Sequence, residues 1–261
     1  MRALQIASTG MMAQQTNVEV ISNNIANMST TGYKRRRAEF QDLLYQNMRR
    51  VGSQSSENGS ILPAGAQVGL GVKTAAIYRI GEQGSLSQTD NRFDIAIRGN
   101  GFFQVQMPGG QLGYTRAGNF TVSSEGQLVT QQGFPVQPAI QIPEGASAIA
   151  VSQDGIVSAQ LDGESEPAEL GQLQVASFTN PAGLRAIGDN FLTETGASGP
   201  AQMGNPGETG RGGIRQGTLE ASNVNIVEEL VDMIEAQRAY EINSKMVSAV
   251  DEMLRNANQT L

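Results

Sequence analysis

The chain has 261 residues, enough for one large domain or two small ones, with 39% apolar residues, 5% aromatic residues and 31 glycines, the balance of a folded protein rich in turns. It contains no His, Cys or Trp, which removes imidazole bases, thiol nucleophiles, disulfides and Cys/His zinc sites and leaves few stacking platforms for sugars or bases. A net charge of -7 disfavours nucleic acid as a main partner, because phosphate binding needs a cationic surface.

The opening residues MRALQIASTGMMAQQ lack the apolar run of a cleaved Sec signal, and no stretch approaches 18 consecutive apolar residues, so no membrane insertion is expected. Leu4, Ala7, Met11, Gln14, Val18, Ile21 and Ile25 recur at alternating steps of three and four, which predicts a helical seam of coiled-coil type within residues 1–33. The break is expected at Ser29, Thr30 and Thr31, with Gly32 free to take a positive φ. Between Arg2 and Lys34 the only charged residue is Glu19. Solvated helix faces usually carry many charges, whereas amides and hydroxyls such as Gln5, Ser8, Gln15, Asn17 and Asn23 can meet a neighbouring subunit without the cost of burying a charge. The basic run Lys34–Arg37 reads as a solvated patch behind a helix C-terminus.

Residues 34–75 read as an extended connector. Arg35–Arg50 is open between a short helix and a strand, and Val51–Val72 is a Gly/Ser-rich insert. From 76 to 196 the pattern changes to short apolar–polar alternations punctuated by Gly109-Gly110, Glu125-Gly126 and Asp154-Gly155, which predicts an antiparallel β domain. Residues 197–220, rich in Gly and Pro, read as a second connector. The last segment, 221–261, returns to helical rhythm through Ile226, Leu230, Met233, Gln237, Tyr240, Ser244, Val247 and Leu254, with Ser222 or Asn223 as N-cap and Glu228, Glu229 and Asp232 near the positive end of the helix dipole.

The fold class expected is therefore α+β: N- and C-terminal helices pairing as an antiparallel coiled coil around a central antiparallel β domain. A lone two-helix pair would leave each seam half covered, so further chains are the expected source of the missing burial. Asp90, Asp94, Glu125 and Asp154 offer carboxylate pairs for hydrolysis, but Glu125 and Asp154 each precede a turn glycine, which explains them without catalysis. Arg98-Gly99-Asn100-Gly101 offers a possible binding loop for an adhesin, and a β-turn accounts for it equally. No enzyme activity, cofactor or metal is expected.

SNNIANMSTTGYK (Ser22–Lys34) resembles the N-terminal signature of the bacterial flagellar rod and hook family, carried by Asn23, Asn24, Asn27, Gly32 and Tyr33. SNVNIVEELVDMIEAQRAYEINSKMVSAVDEML (Ser222–Leu254) resembles its C-terminal signature, carried by Ser222, Asn223, Asn225, Arg238 and Tyr240. FDIAIRGNGFFQV and YTRAGNFTVSSEGQLVTQQGFPV are similar to the β domain of that family. The length and the single β domain look most like the distal-rod type, with a proximal rod or hook subunit as the alternative. The resemblance implies a structural subunit of a hollow, rigid drive shaft, polymerising helically with itself. It also implies contacts with proximal rod proteins, hook protein, the P- and L-ring proteins, a rod cap and the flagellar type III export apparatus, and a periplasm-spanning location reached without signal cleavage. Straightness of the shaft is assigned by the same resemblance to about Gln46–Lys73.

Overall fold

The three-and-four rhythm at the start of the chain forms helix α1, Arg2–Ala26, and the one at its end forms helix α2, Ile226–Gln259. At 1.5 Å per residue they are roughly 38 and 51 Å long. The structure is a computed structural model and describes residues 2–49, 65–143, 145–161 and 167–259. Residues 51–64 of the Gly/Ser-rich insert lie outside the described residues.

The chain divides into two units: Met1–Ile25, Arg36–Tyr78 and Asn225–Leu261 form a helical unit, and Ala26–Arg35 with Arg79–Val224 forms a β unit. In the helical unit, α1 and α2 run antiparallel. Asn24 near the end of α1 bonds Glu229 near the start of α2, and a Cβ placed on Gly10 would lie 3.4 Å from Asn243 Cγ. The ambiguous segment after α1 is extended: Arg36–Asp42 pairs with Val72–Arg79, and Tyr45–Arg49 pairs antiparallel with Ala66–Gly69. Its residues follow the two-residue period of a strand, with Ala38 buried and Phe40 half-buried between exposed neighbours. Thr9 on α1 accepts a hydrogen bond from the Val72 amide (3.3 Å), which ties the first of these strand pairs to the helix.

The β unit is built on a five-stranded antiparallel sheet in the order Val136–Gln137, Phe103–Gln106, Leu112–Thr115, Phe191–Thr193, Arg185–Gly188. A three-stranded sheet, Ala146–Val151, Ile156–Leu161 and Ala168–Gln172, and several two-stranded pairs complete it. The expected turn dipeptides sit at hairpin bends, with Gly126 and Gly155 at φ 77° and 82°. The core is formed by Ile95, Ile97, Phe103, Val105, Phe120, Leu173 and their neighbours, with Phe103 and Phe120 edge-to-face at 5.1 Å.

The stretch read as a Gly/Pro-rich connector, 197–220, is in fact part of this unit. Gln202–Gly204 pairs with Val175–Ser177, Gly213–Gln216 with Ile95–Arg98, and Thr218–Glu220 with Leu86–Gln88. Each run is only three or four residues long, and its strand character depends on a partner more than a hundred residues away in two of the three cases. Composition alone therefore reported the turns between the runs.

Candidate assembly site

The buried face of α1 is made of small and branched residues, Ala7, Ala13, Val20 and Ile21, ending in Asn24. On α2 only Glu229 and Ala236 are buried, with Met233, Ala239, Asn243, Val247 and Val250 half-buried along the same side. The residues expected as packing seams divide accordingly. Ala7 and Ile21 are buried, and Leu4, Met11, Val18, Ile25, Met233 and Val247 are half-buried. Ile226, Leu230, Tyr240 and Leu254 are exposed, so in the single chain much of the α2 seam is uncovered apolar surface. Leu230 is 46% exposed and Val227 66%.

The asparagines of the N-terminal motif have separate tasks. Asn24, 1% exposed, takes the Arg36 amide on Oδ1 (2.8 Å) and donates from Nδ2 to both the Arg36 carbonyl (2.8 Å) and Glu229 Oε2 (3.0 Å). A carboxamide supplies an acceptor and two donor hydrogens at this reach, which no carboxylate or hydroxyl does. Asn27 accepts from the Thr30 amide on its carbonyl (3.2 Å) and from the Thr30 hydroxyl on Oδ1 (3.1 Å), which turns the chain after α1. Asn23 is exposed. Gly32 has φ 69°, as expected, and a Cβ there would lie 2.7 Å from the Ala117 nitrogen, so both conformation and space require glycine. The Tyr33 carbonyl accepts from the Asn223 amide (3.4 Å).

At the other end of the chain the cap of α2 is Asn225, not Ser222 or Asn223: Asn225 Oδ1 accepts from the Val227 amide at 3.1 Å and its carbonyl from Glu229 at 3.0 Å. Asn223 is occupied elsewhere. Its Oδ1 accepts from the Arg35 amide (2.7 Å), and its Nδ2 donates to the carbonyls of Ile80 and Glu82 (3.1 Å each). Ser222 Oγ accepts from the Val224 amide (3.3 Å), and Arg238 is exposed on α2.

Sequence reasoning missed the ionic cluster of the β unit and misread one of its members. Lys34, expected in a solvated patch, is withdrawn from water: Nζ lies 2.5 Å from Glu220 Oε1 and donates to the Glu82 carbonyl at 2.7 Å. Glu220 is 1% exposed and its other oxygen, Oε2, lies 2.6 Å from Arg116 Nε. The Gly84 amide donates to Oε1 (3.0 Å) and the Gly32 amide to the Glu220 backbone carbonyl (2.8 Å). Arg116 spends its remaining donors on the carbonyls of Ile97, Gly99 and Gly101, so the loop considered as a ligand contact is held from within. Burial lowers the Lys34 pKa from its ordinary value, outweighing the hydrogen bond and charge of Glu220 that act to raise it. The one sequence signal for this cluster was Glu220 standing at an inward position of an alternating run, Thr218 and Glu220 both being buried.

The arrangement is one of contacts: amide brackets and a buried ionic cluster hold backbone, and an apolar helix face is left open. Three family models match the chain in order: Flagella basal body rod protein over residues 4–34, Flagellar hook protein FlgE/F/G D1 domain over 96–159, and Flagellar basal body rod FlgEFG protein C-terminal over 215–260. The chain is similar to the flagellar basal-body rod protein FlgG of Caulobacter vibrioides, 54% identical over 259 residues that cover 99% of each chain. It is similar to that of Borreliella burgdorferi at 51% over 260 residues, 99% of this chain and 98% of the relative, and to that of Bacillus subtilis at 36% over 261 residues, 98% and 97%. With identity of this level over nearly the whole of each chain, and family models matching both terminal segments, the chain belongs to the flagellar basal-body rod protein FlgG family.

Proposed function

We propose that this chain is a structural subunit of the flagellar basal-body rod that packs with copies of itself into a helical, hollow shaft passing torque from motor to hook. The observation that carries the reading is on the first turns of α2, where Ile226, Val227, Leu230 and Ile234, at spacings that share one stripe of the helix, are exposed on one chain of a rod family. A contiguous apolar face of this kind marks an association surface. Covering it with neighbouring helices returns roughly 25 cal/mol for each Å² withdrawn from water. A contact of this type repeated head to tail without closing generates a helix, and torque then passes through contacts with no chemical step.

The outward residues of α1 complement this role. Gln5, Ser8 and Gln15 are exposed and uncharged, a surface that can sit against another subunit or line a channel without holding what passes along it. The place in the distal rod is supported by family membership and belongs to the same proposal. So do the seam residues Leu4, Met11, Val18, Ile25, Ile226, Leu230, Tyr240, Val247 and Leu254. Proximal rod proteins, hook protein, the P- and L-ring proteins, the rod cap and the flagellar type III export apparatus are the partners this reading requires. Electron microscopy of the concentrated full-length chain tests it: tubes with a central hole are expected, and a protein that stays monomeric at every concentration, or forms solid filaments, overturns it.

A further inference from the structure

We infer that the Asn24–Glu229 hydrogen bond is the register key of the terminal helix pair, a positioning device that selects one sliding position of α1 along α2. Glu229 is a carboxylate only 4% exposed, and Asn24 is 1% exposed beside it. Elsewhere this face offers little that is directional: Gly10 on α1 lies against Asn243, and the other half-buried residues on the same side of α2 are the apolar Met233, Ala239, Val247 and Val250. Apolar packing is non-directional, and a displacement by one helical turn, about 5.4 Å, would again set apolar residues against one another. The Gly10–Asn243 and Asn24–Glu229 approaches agree on one register. From Gly10 to Asn24 the chain advances fourteen residues along α1, and from Asn243 to Glu229 it retreats by the same number along α2.

A slip of one turn would take Asn24 away from Glu229 and towards Asn225 or Met233, stripping the buried carboxylate of this donor. Asn24 cannot follow by turning, because its Oδ1 and its other Nδ2 hydrogen are already held by the amide and carbonyl of Arg36. The carboxamide is thus fixed to backbone on one side and presents a single hydrogen to α2 on the other. A hydrogen bond between two buried polar side chains distinguishes registers that apolar packing leaves nearly equal.

The chain has no cysteine, so engineered pairs report register without background. In the full-length protein, Gly10→Cys is combined with Asn243→Cys for the observed register, or with Ala239→Cys or Val247→Cys for a slip of one turn either way, and disulfide formation under mild oxidation is compared. The in-register pair is expected to form about tenfold more readily than either slipped pair, the ratio that the loss of one buried hydrogen bond produces. Glu229→Gln, which keeps an acceptor, retains that preference. Glu229→Met, of similar size but with no acceptor, brings the three pairs to within about twofold of one another. Asn24→Asp also erases the preference, and adding Glu229→Gln restores it by supplying a donor to the new carboxylate. A preference that survives Glu229→Met, an Asn24→Asp defect that Glu229→Gln leaves unrelieved, or no preference in the parent overturns the inference. None of these outcomes depends on polymer formation, so failure of the rod reading would be seen separately, by microscopy.

Discussion

In the β unit the largest apolar side chains are wholly withdrawn from water: Phe103, Val105, Leu173 and Val175 show no exposed surface, and Tyr114 and Phe120 almost none. The helical unit hides mostly small residues, Ala7, Ala13, Ala38 and Ala236, with Val20, Ile21, Asn24 and Glu229, and leaves Leu230, Ile234, Ile242 and Met253 in water. The first pattern is that of a chain segment whose stability comes from its own packing. The second is that of a segment whose large apolar residues contribute only when something else covers them, because burial and not helix propensity supplies most helical stability. Both buried polar sites follow the same division. Glu220 joins segments of the β unit to one another, whereas Asn24 and Glu229 select how two helices lie together.

The contrast can be broken by changes confined to one side. Leu230→Asp puts a charge on the open face of α2 and is expected to abolish polymerisation completely while the thermal transition of the β unit stays within about 1 °C, as surface substitutions do. Sedimentation and calorimetry on the same sample read both effects, and a lowered β transition would place Leu230 in that core. Glu220→Ala acts on the other side. It leaves Lys34 and Arg116 without their shared counter-charge, and breaking a buried pair in this way costs about 3–5 kcal/mol. A fall of roughly 6–20 °C in the β-unit midpoint is expected for a unit of this size. An unchanged midpoint would mean that solvent reaches the two cations and that the cluster contributes nothing.

The smallest effect is a dependence on pH. Because the Lys34 pKa is lowered in the folded chain, chiefly by burial, the unfolded chain binds more protons at this site in the interval between the lowered value and 10.5. Its contribution to stability is therefore least favourable below that interval and improves as pH rises through it, opposite to a lysine whose pKa is raised by its partner. Lys34→Met should flatten the urea-midpoint profile over this interval relative to the parent. A parallel profile in the variant would remove Lys34 as the source.

Much of this division is legible in the sequence because it is periodic. Steps of three and four mark both helices, alternation with Glu125-Gly126 and Asp154-Gly155 marks hairpins, and the lack of charge along α1 marks a face not built for water. The candidate site was legible by halves. The Asn-rich motif stood out by composition, yet nothing local distinguishes Asn24, which brackets Arg36 and Glu229, from Asn23, which is exposed. Lys34 looked like its neighbours in a basic run, and only the approach of Glu220, 186 residues away, explains why it is buried.

By itself, then, the amino-acid order determined two terminal helices, a β middle and a chain without imidazole or thiol chemistry, since propensity, period and residue type act over a few neighbours. Tertiary structure alone decided that 202–204, 213–216 and 218–220 are strands, that Asn225 rather than Ser222 or Asn223 caps α2, and that one glutamate pairs with two cations distant in sequence. Those outcomes depend on which remote segments come within hydrogen-bonding distance. Chain closure sets that, and no window of sequence contains it.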